Sequence, residues 1–405
     1  MDLSSFPEEL YALVIGFHPP WNWGEAVVTR NIFLIMKKYL SINLNVYSNI
    51  DANRDTGERL ADITYINTFN ETTFAIRASI KIMKSLLDKT AKNKILIHTV
   101  GVNEAILWKM WIFFKKLNVV HNQLHLIVHD YGPVPPKVEI IPYRTRILLK
   151  TKMFNILTTS LITSKMYSDN KRVFYVPAPY IPASEIESYT TYRCFEGCKF
   201  LKQIITDLKD KHILLYIGPL RKERFNYTLI MPTLKKLISM GHKDVVLLII
   251  SPKYSKNYNG YKSSLFITKL ATSLQLARHV YIIVGNICEN CKEKLLKNSK
   301  IFLFLPLNER QSMDPPFSVI EAMANGNVVI TSKYLSLPYM IKPGYNGFLL
   351  VNPNVECLAS VISKLLSDKN YFQHLSENAI NYIRDNHSYS IVIKYLDNLY
   401  KNIID

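Results

Sequence analysis

Short runs of apolar residues alternate along the chain with longer stretches in which apolar residues recur every three or four positions. The runs have the length of buried strands, and the longer stretches have the period of amphipathic helices. In the first half this pattern predicts strands at residues 10–17, 44–47, 65–67, 94–99, 124–129, 156–163 and 172–176, and helices at 25–40, 73–89, 103–117 and 143–155. Such alternation is typical of parallel, doubly wound α/β sheets.

The alternation restarts after a polar, proline-containing stretch at residues 177–211, which is predicted to be a linker. Strands are then predicted at residues 213–218, 245–251, 280–284, 301–306 and 327–331, and helices at 227–240, 262–276, 291–298, 318–324, 355–366, 370–385 and 389–404. We therefore predict an α/β protein with two Rossmann-like domains, 1–180 and 181–384, that face a central cleft. A C-terminal helix at 385–405 can cross back to the first domain.

Residues 301–332 form a predicted strand–loop–helix–strand unit, and its helix begins at Ser318. A helix N-terminus that opens onto a loop presents free N–H groups and the positive end of the helix dipole, which suits a phosphate. The segment Ser318-Val319-Ile320-Glu321 also fits a capping box, in which serine and glutamate satisfy backbone donors. Glu321 is therefore either a cap or a ligand contact.

Composition limits the kind of protein. The chain has 405 residues, 48% of them hydrophobic, and its apolar runs are much too short to span a bilayer. The acidic, polar N-terminus does not resemble a signal peptide, so a cytoplasmic protein is predicted. The net charge of +18 indicates an anionic partner, which can be nucleic acid, an anionic lipid surface or a phosphorylated substrate.

The cysteines leave two alternatives open. Cys194 and Cys198 are four residues apart, and Cys288 and Cys291 form a C-x-x-C motif. Together the pairs could bind zinc or form disulfides, but their wide separation favours reduced structural thiols. Cys357 lies on an apolar helix face and is predicted to be in the core.

The second half resembles the retaining GT-B glycosyltransferases of the family-4 group. The resemblance rests on EAMANGNVVITS at Glu321–Ser332 and on SLPYMIKPGYNGFLLVNP at Ser336–Pro353. It implies that Glu321 holds the ribose hydroxyls of a nucleotide-sugar donor, as a carboxylate facing a diol can do. The first glutamate of the family motif corresponds to Met313, and Asp314 or Glu309 can substitute for it. Ser318 and Val319, at the start of the helix, are predicted to bind the donor as well.

Two further segments resemble the donor site of that family. In YIGPLRKERFNY, Gly218 matches the family glycine, and Arg224 falls on the lysine that contacts the leaving diphosphate. Pro219 replaces the family arginine, and Arg221 with Lys222 can supply a second cation. A solvated basic turn is the ordinary alternative. The segment VGNI places Asn286 and Ile287 where the family binds the nucleotide base.

The first half matches less closely. Gly24 follows the first strand where the family has a glycine pair that approaches the diphosphate. LIVHDYG places His129 at the end of a strand, where the family histidine borders the reacting sugar. Aromatic and basic residues at 105–118 and 143–152 suit either an anionic membrane surface or a buried helix with solvated lysines.

The resemblance implies a retaining, metal-independent glycosyltransferase that moves a sugar from a nucleotide-diphosphate sugar to a glycan or lipid-linked acceptor. It implies no cofactor and no metal site, and a cytoplasmic protein peripheral on the inner face of the membrane. The alternative is a catalytically impaired GT-B-fold binding or scaffold protein, which Met313, Pro219 and Pro316 favour. A nucleic-acid partner is not predicted, because the basic residues are scattered and no recognition motif is present.

Overall fold

A computed structural model describes residues 11–16, 24–40, 42–50, 59–60, 63–67, 77, 80, 95–100, 124–131, 154–187, 190–191, 196–255, 258–285, 287–308 and 312–404. The chain divides into two compact units. Unit 1 contains residues 1–181, 187–191 and 387–405, and unit 2 contains residues 182–186 and 192–386. Each unit is described by itself.

Unit 1 is built on a parallel sheet. Its described strands are β1 (Tyr11–Gly16), β2 (Asn43–Ile50), β4 (Ile63–Asn67), β5 (Ile95–Val100), β6 (Leu124–Asp130), β7 (Phe154–Thr158) and β8 (Val173–Tyr175). They lie in the order β4-β2-β1-β5-β6-β7-β8, and each neighbouring pair is parallel. The short strands β3 (Arg59–Leu60) and β9 (Thr190–Thr191) pair separately and antiparallel.

The described helices of unit 1 include one from the C-terminus of the chain. They are α1 (Gly24–Tyr39), α2 (Leu161–Met166) and α12 (Tyr389–Ile404). The rings of Tyr39 in α1 and Tyr389 in α12 stack with centroids 4.9 Å apart. The hydroxyl of Tyr400 in α12 donates to Met36 Sδ at 3.1 Å. The final helix therefore completes the core of the first unit.

Unit 2 has a second parallel sheet, whose central strands are buried and whose two edge strands are partly exposed. The strands are β10 (His212–Ile217), β11 (Val245–Ser251), β14 (Val280–Val284), β15 (Ile301–Phe304), β16 (Val328–Ser332) and β17 (Gly347–Leu350). Their order, β14-β11-β10-β15-β16-β17, is 3-2-1-4-5-6 in chain sequence, the Rossmann order. A separate hairpin joins β12 (Tyr254–Ser255) and β13 (Tyr258–Asn259).

Helices cover the sheet of unit 2. They are α3 (Ala183–Glu187), α4 (Glu196–Asp207), α5 (Tyr227–Ser239), α6 (Gly260–Ser273), α7 (Glu289–Asn298), α8 (Phe317–Ala324), α9 (Leu337–Met340), α10 (Val355–Ser367) and α11 (Lys369–His387). Leucine and isoleucine side chains from α5 and α10 join those of the strands in one core. None of the helices that the structure describes is long and apolar enough to cross a membrane.

Two predictions around residue 160 are wrong in detail. The strand predicted at 156–163 ends at Thr158, because Ser160 caps the helix α2: its Oγ accepts a hydrogen bond from the Thr163 N–H at 3.1 Å. The helix predicted at 143–155 cannot include Phe154 and Asn155, which belong to β7. Residues 143–153 lie outside the described part of the chain.

The linker predicted at 177–211 is also wrong, since α3 and α4 occupy much of it. Leu201 in α4 and Leu208 beyond its end are buried, so this polar segment has an apolar face that packs on unit 2. Glu293 Oε2 accepts a hydrogen bond at 2.7 Å from the backbone N–H of Ala183, the first residue of α3. The polar composition concealed these amphipathic helices.

Candidate functional site

The order of the strands in unit 2 defines a topological switch point between β10 and β15. In open α/β sheets, ligands bind beyond the carboxyl ends of the strands at such a point. The loop after β10 contains residues 218–226, and residues 305–308 and 312–316 follow β15 in the described part of the chain. The Leu307 N–H donates a hydrogen bond of 2.8 Å to the Glu223 carbonyl, which joins the two loops.

Gly218 begins the first of these loops with φ +152°, in a region that favours glycine. A Cβ at this position would lie 2.9 Å from Arg224 Nε and 3.0 Å from Tyr216 Oη. Arg224 therefore lies directly against the glycine, with its Cζ 5.9 Å from the centre of the Phe304 ring. The sequence prediction paired Gly218 with Arg224, and the structure brings them together. Their role in binding the donor stays a prediction.

Arg221 and Lys222 lie in the same loop. Arg221 is half-buried and Lys222 is exposed. The carbonyl of Arg221 accepts hydrogen bonds from the N–H groups of Arg224 and Phe225, at 3.0 and 2.7 Å. The turn therefore holds three cations within four residues, at the carboxyl end of β10. Such a concentration of positive charge is suited to a diphosphate.

Asp314 has a structural partner. Its side chain is fully buried, with Oδ1 accepting from the Ser336 N–H at 3.0 Å and Oδ2 accepting from Ser336 Oγ at 2.5 Å. The neighbouring Met313 is 6% exposed. Asp314 thus fixes the turn that follows β16, and its predicted contact with a donor stays a prediction. Glu309 lies outside the described residues.

The capping-box interpretation of residues 318–321 is wrong. The N-cap of α8 is Pro316, which makes no side-chain cap bond, and the helix begins at Phe317 rather than Ser318. Glu321 is therefore in the second turn, beyond the reach of the cap. Ser318 is half-buried in the first turn, and the side chain of Val319 is buried in the core. The Val319 N–H donates a hydrogen bond of 3.0 Å to the Pro316 carbonyl. The predicted contact of Ser318 and Val319 with a donor stays a prediction.

Glu321 instead belongs to a buried group of three charged side chains. Lys292 Nζ lies 2.5 Å from Glu321 Oε1 and 2.8 Å from Glu289 Oε2. Burial alone would lower the pKa of Lys292, but the two carboxylates outweigh it and raise the pKa above its usual value. Sequence reasoning found Glu321 and missed Lys292 and Glu289. The i,i+3 spacing of glutamate and lysine just after β14 was the available signal.

The C-x-x-C motif lies at the start of α7. Cys288 is the N-cap, and its Sγ accepts a hydrogen bond from the Cys291 N–H at 3.4 Å. Both cysteines are buried, and neither forms a disulfide. Among the residues that the structure describes, no three His, Cys, Asp or Glu side chains are placed to hold a metal ion. Ile287 precedes the cap and is half-buried, while Asn286 lies outside the described residues.

Cys357 is exposed, so its predicted place in the core is wrong. Asn354 caps α10, and its Oδ1 accepts a hydrogen bond from the Cys357 N–H at 2.8 Å. Cys357 therefore lies in the first turn of the helix, on its solvent side. The core face of α10 is formed by Leu358, Ile362 and Leu365.

In unit 1, His129 is the sixth residue of β6 and is 3% exposed. Its Nε2 lies 2.7 Å from His98 Nδ1, and its Nδ1 lies 2.6 Å from Tyr131 Oη. His98 Nε2 lies 3.4 Å from Tyr400 Oη. Burial is the main cause that lowers the pKa of both histidines, to about 3 for His98. Each ring is therefore neutral, and a neutral imidazole donates one hydrogen bond and accepts another along this chain.

The placement of His129 gives its ring two partners inside unit 1. The predicted contact with a reacting sugar is not tested by this arrangement and stays a prediction. Gly24 is the first residue of α1, directly after a segment outside the described residues. The resemblance places the family glycine at the start of the helix that follows the first strand, and Gly24 is at that position. Its contact with a diphosphate stays a prediction.

The two Rossmann-like units place the chain in the GT-B class of folds. It is similar to a glycosyltransferase from Rickettsia africae, with a TM-score of 0.67 and 14% identity over 97% of this chain and 98% of that one. It is also similar to HepE from Anabaena, solved with UDP and glucose, with a TM-score of 0.68 and 10% identity over 96% of this chain and 99% of that one. At these identities the likeness establishes the fold.

The family evidence lies in unit 2. Residues 199–382 match the model of the family described as glycosyl transferases group 1. An uncharacterized glycosyltransferase from Methanocaldococcus jannaschii is 27% identical over 88 residues. That match covers 22% of this chain and 22% of the relative, so the chain spans about a fifth of the length of this relative.

Proposed function

We propose that the protein is a glycosyltransferase that binds a nucleotide-diphosphate sugar in unit 2 and transfers the sugar to a glycan or lipid-linked acceptor. The observation that carries this proposal is the arrangement at the switch point of unit 2. Gly218, Arg224 and the start of α8 lie on loops that follow neighbouring parallel strands and are hydrogen bonded to each other. HepE, which shares the fold, was solved with UDP and glucose.

Each part of the arrangement has a chemical task. Arg224, supported by Arg221 and Lys222, would neutralise the diphosphate as it leaves with increased charge. The first turn of α8, which contains Ser318 and Val319, would present the positive end of a helix dipole to the diphosphate. Glu321 would accept hydrogen bonds from the ribose hydroxyls.

Calorimetry with UDP, GDP and ADP tests the donor site. We expect one of the three to bind with a Kd below 1 mM, and the E321A and R224M variants to weaken binding by about tenfold or more, because each removes a charge-assisted hydrogen bond. Lys297→Met, on the exposed side of α7, is the matched control. Failure of all three nucleotides to bind would refute the proposal.

The proposed transfer proceeds with retention at the anomeric carbon and without a metal. In this scheme the donor phosphate assists deprotonation of the acceptor, so the protein requires no cofactor. NMR of the first product formed establishes its anomeric configuration. Activity should be the same in EDTA and in added magnesium. An inverted product or a strict requirement for the metal would contradict this part of the proposal.

Met313 stands where the family motif has its first glutamate, and it is buried. A protein that binds nucleotide but neither hydrolyses nor transfers the sugar would be the impaired binding protein that this substitution favours. Incubation with UDP-glucose and other nucleotide sugars, followed by detection of released diphosphate, separates the two functions. If a nucleoside diphosphate is released, and the release requires Arg224 and Glu321, the result supports the active glycosyltransferase.

The proposed location is cytoplasmic and peripheral on the inner face of a membrane. It rests on the net charge of +18 and on the aromatic and basic residues at 105–118 and 143–152, which lie outside the described residues. Flotation with vesicles containing anionic lipid tests it. We expect binding at low salt that is lost at high salt, and no binding to neutral vesicles.

A further inference from the structure

The central charge of the buried group in unit 2 is Lys292, whose role the resemblance does not assign. It lies in the first turn of α7, between Glu289 and Glu321. Its side chain is 14% exposed, and that of Glu321 is 9% exposed. An ionised carboxylate so far from water is unfavourable unless a cation or several donors compensate it. In this structure Lys292 is the cation that compensates Glu321.

The contact also defines the direction of the carboxylate. Lys292 Nζ binds Oε1 of Glu321, which restricts rotation of the carboxyl plane in the second turn of α8. A ribose diol requires a carboxylate that is ionised, because both hydroxyls then donate to acceptor oxygens. A protonated carboxyl would present a hydrogen to one of them.

Glu289 gives Lys292 a second anchor within the same helix. The pair is separated by three residues, a spacing at which side chains on a helix meet. Glu289 therefore fixes the Lys292 side chain on α7, and Lys292 in turn fixes the carboxylate of Glu321 on α8. The group carries one net negative charge, so it remains an acceptor for hydroxyl donors.

We propose that Lys292 is a positioning residue for the donor, holding Glu321 ionised and oriented toward the ribose hydroxyls of a nucleoside diphosphate. The inference rests on the proposed function, because it requires Glu321 to contact ribose. Lys292 itself need not contact the nucleotide. It acts through the carboxylate that it holds.

The experiment compares Lys292→Met, Lys292→Arg and the control Lys297→Met by calorimetry at pH 8 and pH 5.5. Lys297 is on the same helix, with its side chain 60% exposed and paired to Glu293. The ligands are UDP and its 2′,3′-dideoxy counterpart, or the GDP or ADP pair if one of those binds more tightly. We expect Lys292→Met to weaken UDP binding about tenfold at pH 8, and further at pH 5.5, because a buried carboxylate without its cation takes up a proton more readily.

Lys292→Met should change the affinity for the dideoxy nucleotide less than threefold, because that ligand has no ribose hydroxyls to donate to Glu321. Lys292→Arg should restore the affinity for UDP. Its affinity should then change between pH 8 and pH 5.5 no more than that of the control Lys297→Met. A merely structural lysine would weaken both nucleotides equally and at both pH values, and this result would overturn the proposal.

The double variant Lys292→Met/Glu321→Gln reduces the risk of misfolding, since it removes one of the two buried carboxylates that Lys292 compensates. Relative to Glu321→Gln alone, it should bind UDP with no further loss, because Lys292 acts only through Glu321. An additive loss would also overturn the proposal. If the wild-type protein binds none of the nucleotides, the proposed function fails first, and that outcome is distinct from normal binding with an insensitive Lys292.

Discussion

Acid should destabilise unit 1 through its buried histidines. His98, His129 and His387 are each at most 3% exposed. Burial lowers the pKa of His98 from 6.5 to about 3 and that of His387 to about 4, and it lowers that of His129 well below 6.5. As the pH falls below 6.5, the unfolded chain takes up protons that the folded chain does not bind. The contribution of these histidines to the free energy of unfolding is therefore complete above pH 6.5 and is lost progressively as the pH falls below it.

The magnitude follows from the unfolded pKa, because folded His98 and His387 stay neutral at pH 5. From 6.5 to 5 each of these two histidines changes the free energy of unfolding by about 1.5 × 1.36, or about 2 kcal/mol. Together they give about 4 kcal/mol between pH 8 and pH 5, and His129 adds to the loss in the same direction. That loss is comparable with the total stability of a typical domain, about 5–15 kcal/mol.

Urea unfolding followed by tryptophan fluorescence measures this loss, since all four tryptophans lie before residue 112. His387 donates from Nδ1 to the Ala178 carbonyl at 3.0 Å, a bond that glutamine can replace. His387→Gln should therefore reduce the change between pH 8 and pH 5 by about 2 kcal/mol. His374→Gln, at an exposed position of α11, should leave it unaltered. Equal pH dependence in both variants would refute the reasoning.

Three further predictions concern unit 2. Gly218→Ala should displace Arg224 and weaken nucleotide binding by about tenfold in calorimetry. Gly241→Ala should not weaken binding, because Gly241 also has a positive φ but no atom lies within 4 Å of a Cβ placed there. Equal binding by both variants would contradict the close contact. Asp314→Ala should lower the free energy of unfolding by about 2–3 kcal/mol in urea, because two hydrogen bonds to Ser336 are lost; Asp244→Ala, at an exposed ion pair, should leave the midpoint unchanged. Native labelling with a thiol reagent, read by peptide mass spectrometry, should modify Cys357 before Cys288 or Cys291, and the reverse order would refute the burial of the capping thiols.

The alternation of strands and helices was predictable because parallel strands are buried on both faces and appear as uniform apolar runs. The β11 run Val245–Ser251 has this pattern and was found with its exact bounds. Segments whose structure depends on tertiary packing were not predictable. The helix α4 has a polar composition, and only its burial of Leu201 against unit 2 distinguishes it from a linker.

Gly218, Arg224 and Glu321 were named from motifs in the sequence, and the structure places Gly218 against Arg224. Their roles in binding a donor stay predictions. Lys292 was missed because its partner Glu321 is 29 residues later in the chain, and sequence reasoning gave no reason to bring α7 and α8 together. The cap of α8 was misassigned because Ser318 and Glu321 have the spacing of a capping box, whereas the N-cap is Pro316 and the helix begins at Phe317.

The contact of Tyr400 with His98 and Met36 constrains the order in which the protein can mature on the ribosome. His98 and Tyr400 are separated by 302 residues, so at 5–20 residues per second roughly 15–60 s pass before the second partner is made. The segment that forms unit 2 is synthesised in that interval. The core of unit 1, although most of it is translated first, is thus expected to close only after Tyr400 has been made, with part of its apolar surface open to chaperones until then.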